Sequence, residues 1–382
     1  MRTKRLLGAG VVALSLAATL TTTARANTGT TEPSGGGDCE SVDSISLQLQ
    51  WFIQAQFGGF FAADQEGFYA DRCLEVEILE GGVDITPQQV LADGGADFAT
   101  TWVPKALATR EAGADIVHIA QILNRSGTLQ LSFADSGIES PADFAGHSVG
   151  NWGFGNEYEV FAGMAQAGVD PADVTHVQQG GDMAPFVAGD IEAAEAMTYN
   201  EYALVLETPN PETGELFQPE DLNVISYEEL GVGMLQDSIW ADGARLADDP
   251  EYRDIAIRFV AASIEGWVFC RDNPEACSQY ALDAGAQSEA GHQLWMMNEV
   301  NKLIWPAPAG FGKADGDAWT STVEISIATP NADGTTFLTA EPDEGARTSE
   351  IIDEAYALLG DSVDLEGADF APIEVTLQEG GV

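Results

Sequence analysis

The sequence predicts an α/β protein of two lobes, each built on a parallel-rich sheet flanked by helices, with a ligand cleft between them. Three observations predict it: a strand–helix–strand–helix–strand run near the start, its recurrence about a hundred residues later, and a mostly helical last third. Units of this kind make right-handed crossovers and set their strands side by side in parallel.

The first unit opens with Ser46-Leu47-Gln48-Leu49-Gln50-Trp51, an alternating strand ending in Trp. A helical run from Phe57 to Glu66 stops at Gly67. The strand Leu74 to Leu79 leads to Gly81-Gly82, Asp84 and Pro87; a helix from Gln88 to Ala92 ends at Gly94, and Ala96 to Ala99 closes the unit. The second unit repeats the order. Ser148 to Trp152 is a strand ending in Trp, Glu157 to Ala167 a helix stopped by Gly168, and Val174 to Val177 a strand leading to Gly180-Gly181, Asp182 and Pro185. A short helix ends at Gly189, and Ile191 to Ala194 closes the unit. The spacing from Trp51 to Gly67 equals that from Trp152 to Gly168. Long-period self-similarity of this kind marks a duplicated architecture.

Between and beyond the units, Asp115 to Asn124 and Thr128 to Ala134 read as strands crossing between lobes, and Leu222 to Tyr227 and Gly233 to Trp240 as the return. Helices follow over Pro250–Arg271, Pro274–Ala284, Gly291–Trp305, Asp315–Ala328 and Gly345–Leu359, and this block is expected to pack on the first lobe. The expected division is 44–132 with 228–382 for the first lobe and 133–227 for the second.

Arg2, Lys4 and Arg5, an apolar run from Leu6 to Leu20 and Ala24-Arg25-Ala26 have the form of an export signal cut near Ala26. Residues 27–43, rich in Thr, Gly, Ser and acid, read as a flexible tether. The expected location is extracytoplasmic. Sixty-two acids against fifteen bases give a formal charge of −47. Such a shell repels nucleic acid and anionic membranes, and suits salty surroundings where screening is strong.

Four cysteines in an exported chain point to disulfides. Cys270 and Cys277 flank a helix-end, turn and helix-start signal that can bring their sulfurs together; Cys39 and Cys73 remain as the other pair, tying the tether to the first lobe. Zinc is the competing reading, but no four-ligand set is complete.

In open α/β sheets ligands bind beyond the carboxyl ends of strands. Trp51 and Trp152 lie at that end of the first strand of each unit, so the two indoles are expected to face each other and clamp a planar heterocycle. Gly153-Phe154-Gly155 joins a strand to the next helix, where backbone can approach a ligand and the first N–H groups are free. Asn156 and Glu157, with Glu159, place an amide and carboxylates at that helix start. Thr100, Thr101 and Trp102 follow the closing strand of the first unit as Tyr199, Asn200 and Glu201 follow that of the second, and Asn124 ends the strand that leads across. Cations are scarce around these loops, with only Lys105 and Arg125 nearby, which favours a neutral or amino-bearing solute over an anion.

Trp51, Gln54, Gln56, Gly58-Gly59-Phe60, Glu66-Gly67-Phe68-Tyr69 and Leu74-Glu75-Val76 resemble the opening of type II periplasmic binding proteins for nitrate, sulfonates, taurine and thiamine-pyrimidine precursors. Trp152 to Glu159 and Tyr199-Asn200-Glu201-Tyr202 are more similar to the thiamine-pyrimidine branch, which includes proposed riboflavin carriers. The resemblance runs from about residue 45 to 330. It implies that Gln54 and Gln56 join the ligand contacts, and that the partners are a small solute and the permease and ATPase of an ABC importer. Nitrate, sulfonate or taurine binding in the same family, and a sensory ligand-binding module, are the alternatives.

No Gly-x-Ser-x-Gly elbow, phosphate-binding loop or HExxH is present, and His118, His147, His176 and His292 have no metal-ligand spacing. Relatives that make the thiamine pyrimidine use a cysteine-rich motif and iron, which this chain lacks. The expectation is a binding protein with no catalytic residue, metal or cofactor.

Overall fold

A computed structural model describes residues 39–380. The expected export signal and most of the expected tether lie outside the described residues. Among the described residues, ten strands form two mixed sheets. The first contains β1 (Asp43–Gln48), β2 (Leu74–Leu79), β3 (Phe98–Trp102), β4 (Ile116–Gln121) and β10 (Asp237–Asp242), in the order β2-β1-β3-β10-β4. The second contains β5 (Thr128–Phe133), β6 (Ser148–Asn151), β7 (Thr175–Gln178), β8 (Ala193–Met197) and β9 (Leu222–Ser226), in the order β7-β6-β8-β5-β9.

The two orders are the same topology. Three strands of one unit pair in parallel, and a single antiparallel strand is inserted before the last: β10 between β3 and β4, and β5 between β8 and β9. Each inserted strand arrives from the opposite lobe. Because Thr128–Phe133 pairs wholly within the second sheet, the first crossing occupies residues 122–127 and not the expected position after residue 132. The return occupies residues 227–236.

The duplication extends to side chains. Ser46 N–H and hydroxyl both donate to Asp97 Oδ2, and Asp97 N–H donates back to Ser46 Oγ. Ser148 and Glu192 make the same three bonds in the second lobe. In each case a polar pair staples the first strand to the start of the closing one.

All residues of β3 and β8 are buried, as befits strands covered on both faces. The closing strands run to Trp102 and Met197, so Thr100 and Thr101 are buried strand residues and not loop residues. Thr100 Oγ1 accepts from Gln50 N–H at 3.0 Å, and the Thr101 hydroxyl donates to Gln88 Oε1 at 3.2 Å. In the other direction β1 and β6 end at Gln48 and Asn151, leaving Trp51 and Trp152 just past the strand ends.

The C-terminal helices enlarge the first core. The 23-residue helix Pro250–Asp272 buries Phe259, Val260, Ile264 and Trp267 against the Gly58–Gln65 helix. A Cβ on Gly59 would lie 2.2 Å from the Trp267 ring, and one on Gly266 2.0 Å from Gly59 O. The Gly58-Gly59 pair of the sequence therefore serves close helix packing. Not all of the C-terminal block stays on the first lobe: Phe337 stacks on Tyr158 at 3.7 Å and joins the second lobe's core, and Ile325 and Leu377 pack against second-lobe residues as well. Disulfides join Cys39 to Cys73 and Cys270 to Cys277.

With 62 acids and 15 bases, the folded chain carries strong self-repulsion. Raising salt from 0.1 to 1 M shortens the screening length from about 10 to about 3 Å. The melting temperature should rise by several degrees over that range, as measured by circular dichroism. A flat response would show that the acids are too dispersed to repel.

Candidate functional site

The strand ends of both sheets converge on one interlobe pocket. The first lobe contributes Gln50, Trp51, Gln54, Gln56 and Trp102; the second contributes Trp152, Asn156, Met197, Tyr199, Asn200 and Glu201. Nine of the sixteen candidate contacts meet here. Gln50 and Met197 are additions. None of these eleven side chains is a cation, and Glu201 is the one carboxylate among them.

The remaining seven lie elsewhere. Thr100 and Thr101 sit within β3, as described. Asn124 holds a crossing: its amide donates to Lys313 O, and its carbonyl accepts from Asp315 N–H. Gly153, Phe154 and Gly155 all adopt positive φ, and Phe154 is 56% exposed. A Cβ on Gly155 would lie 2.7 Å from Lys105 Cγ, so this loop closes on Lys105 of the opposite lobe and does not line the pocket. Glu157 is engaged by Gly155 N–H at 2.8 Å.

The two indoles meet, but not as parallel plates. Their centroids are 6.2 Å apart and their planes inclined by 64°, an edge-to-face contact. A planar ring between two parallel faces needs them about 7 Å apart, given contact distances near 3.5 Å. The free space in the pocket is about 20 Å³. Clamping a heterocycle there therefore requires the lobes to part or the indoles to turn.

Beneath the pocket lies a residue not anticipated from the sequence, Asp237. Its carboxylate accepts from Gln50 Nε2 at 2.7 Å, Gln56 Nε2 at 2.7 Å and Trp102 Nε1 at 2.9 Å. Gln54 Nε2 in turn donates to Gln56 Oε1 at 2.7 Å. One buried acid thus fixes the amide orientations of the first-lobe wall. Burial raises the Asp237 carboxyl to about 6, opposed by the bonds from Gln56 and Trp102 and by the charge of Lys105. Lys105 itself is buried, which lowers it to about 8; its ammonium donates to Asn156 Oδ1 at 3.1 Å and joins the two lobes.

Two buried polar atoms on the lining residues have no partner among the described residues: Gln50 Oε1 and Trp152 Nε1. Buried polar groups are nearly always paired in proteins, and exceptions mark places where something else bonds. One is an acceptor and the other a donor. In the second lobe, Glu201 accepts from Met197 N–H and from Asn200 Nδ2. Under Trp152, Glu195 is fully buried and its carboxyl is pushed well above the usual range, chiefly by desolvation.

A larger groove of about 810 Å³ runs along the first lobe between Trp319, Arg347 and Asp353. None of the unpartnered buried atoms lies on it, and its Lys313 and Asp343 are engaged with Asp353 and Arg110.

At the crossings, Glu159 accepts from Met234 N–H at 2.6 Å and from the Ser126 hydroxyl at 2.8 Å. Burial raises its carboxyl to about 7. The folded state therefore holds this proton more tightly than the unfolded chain, so stability rises as pH falls from above 7 toward 4.5. Glu159→Gln should remove a stability gain on the order of 3 kcal/mol between pH 7.5 and 4.5. Urea denaturation at the two pH values measures it; an unchanged slope would place the titration elsewhere.

Two five-stranded sheets of one topology, crossed twice and opening their strand ends on a shared pocket, define a two-lobed binding-protein fold of the type II periplasmic class. A solved structure described as a putative sulfonate ABC transporter, periplasmic sulfonate-binding protein SsuA, from Methylobacillus flagellatus superposes with a TM-score of 0.58 at 13% identity, covering 89% of this chain and all of that one. In sequence, the chain is 22% identical to a formylaminopyrimidine-binding protein of Halalkalibacterium halodurans, over 75% of this chain and 85% of that protein. It is 24% identical to the riboflavin-binding protein RibY of Chloroflexus aurantiacus, over 85% and 92%. Shorter matches reach 4-amino-5-hydroxymethyl-2-methylpyrimidine phosphate synthases, over 38% of this chain for that of Legionella pneumophila. The profile of the NMT1/THI5-like family matches residues 54–277. The chain belongs to that family.

Proposed function

We propose that this chain is the extracytoplasmic solute-binding protein of an ABC importer, and that it encloses a small amino-bearing heteroaromatic solute, a thiamine-pyrimidine precursor or a flavin, between its lobes. The observation that supports it most directly is the pocket itself. Trp51 and Trp152, at equivalent strand ends of the two lobes, come together over a cation-free lining that leaves Gln50 Oε1 and Trp152 Nε1 unpartnered. An acceptor and a donor beside aromatic faces suit a ring that carries an exocyclic amino group and a ring nitrogen. Nitrate or a sulfonate calls for a fixed cation or several free N–H donors, and Lys105 is turned to Asn156.

Binding without turnover is favoured over synthesis by the extent of the matches: the binding-protein relatives align over 75–85% of this chain and the synthase of Legionella over 38%. The membrane partners, by this reading, are a permease and an ATPase.

Mass spectrometry of solute released from the purified protein, followed by titration calorimetry, tests the proposal. Micromolar or tighter binding of an aminopyrimidine or a flavin, with no product formed, is the expected result. Binding of taurine or nitrate alone would overturn it.

A further inference from the structure

The last described residues run from one lobe to the other. Residues 364–367 are fixed on the first lobe: the Arg271 guanidinium donates to Asp364 O, Phe311 N–H to Leu365 O and Ala307 N–H to Glu366 O, each at 2.8 Å. Leu365 and Phe370 pack against that lobe's core. The chain then continues to Gly380 without regular secondary structure. Along it Ile373, Val375 and Leu377 are half-buried while Glu374, Thr376 and Gln378 are exposed, the alternation of an extended segment. Ile373 N–H donates to Asn298 Oδ1 at 2.9 Å, on the Ala290–Ile304 helix that packs on the first lobe. Leu377, in contrast, packs against the second lobe's core, and Gly380 N–H donates to Glu207 O at 3.2 Å.

That helix places the tail relative to the crossings. At its C-terminal end, Arg125 of the first crossing donates to Lys302 O and Leu303 O. At its start, a Cβ on Gly380 would lie 3.5 Å from Glu289 Cγ, and His292 Nδ1 meets Glu207 Oε2 at 2.9 Å. The 15 residues of the helix, at about 1.5 Å each, set these two ends about 22 Å apart. The tail therefore grips the second lobe far from the first crossing, where any rotation about it gives a large displacement. Glu207, which it grips, follows the Glu201–Leu206 helix, and the other end of that helix carries the pocket residues Asn200 and Glu201. An extended chain has little slack, so the lobes part here only when the tail lets go.

We propose that residues 371–380 form a strap between the lobes, fixed on the first and clipped reversibly to the second through Leu377 and Gly380, and that its release precedes both entry and exit of solute. This rests on the solute-binding reading above and adds a control of its rates. The strap lies outside residues 54–277, the span that the family profile matches.

The test is stopped-flow tryptophan fluorescence with 4-amino-5-hydroxymethyl-2-methylpyrimidine or riboflavin, on the full chain and on variants of the tail. The strap holds the lobes together with or without solute, so weakening it should raise the association and dissociation rate constants alike. Leu377→Ser should raise both about fivefold, with affinity changed by less than about threefold. A chain ended at Phe370 keeps the anchors at 364–370 but loses the bonds of Ile373 and Gly380 as well; it should show a rise of about tenfold, and carries the test if Leu377→Ser does not fold. Leu377→Met, which keeps the apolar clip, should keep the wild-type rates. A loss of affinity through dissociation alone would make the tail part of the solute site and overturn the proposal. Rates unchanged in both weakened variants overturn it too and leave the solute-binding reading intact; a wild type that binds neither compound overturns both.

Discussion

Replacing Trp152 by Ala should weaken solute binding about 5- to 150-fold, since stacking a base-like ring on an aromatic side chain is worth about 1–3 kcal/mol. Trp51→Ala should give a loss of the same order. The two indoles touch, so the double variant should lose less than the sum of the single losses, as contacting residues do. Titration calorimetry reads the affinities, and a thermal melt of each variant separates binding from folding. If Trp152→Ala keeps wild-type affinity and only melts earlier, the indole is a core residue and the pocket is misplaced.

Asp237→Ala is expected to have the larger effect on stability. It removes the common acceptor of Gln50 Nε2, Gln56 Nε2 and Trp102 Nε1, in a residue 1% exposed. A buried donor left unsatisfied costs about 1–3 kcal/mol, and the two glutamines can turn to recover part of it. A loss of about 3–5 kcal/mol in urea denaturation should accompany at least a tenfold loss of affinity, because the wall that presents Gln50 and Gln56 is no longer fixed. Asp237→Asn keeps one acceptor oxygen and should fall between the two. If Asp237→Ala binds as the wild type does, the amide array is not part of recognition.

The fold class was legible because the duplication is written in local signals. Leu74–Leu79 was read with its observed bounds, and the two tryptophan strands were found within a few residues of their ends. The closing strands were misplaced for a definite reason. Thr100 and Thr101 look like a polar turn after an apolar run, yet they are held in extended form by pairing with β10, whose partner residues Ile239 and Ser238 lie far along the chain. The pocket was half legible for a related reason. Reading carboxyl ends of parallel strands finds Trp51, Trp152 and Tyr199, whereas Asp237 reaches the same end of the sheet as the first residue of an antiparallel strand. The pairing of buried His292 with Glu207 and with the lining residue Asn200 gave no local signal, since those partners stand 85 and 92 residues away in sequence. The Gly153-Phe154-Gly155 loop reads as ligand-facing because its local pattern does not reveal that Lys105 of the other lobe fills the space beside Gly155.

The late strand β10, which completes the first sheet after the chain has returned from the second lobe, has a consequence for how the molecule comes apart. Cutting the chain at either crossing would part β10 from β1–β4 and bare the facing flanks of β3 and β4, while β5–β9 stay on one piece. Half-proteins should therefore aggregate through those naked edges, and the intact chain should melt in a single calorimetric peak despite its two cores.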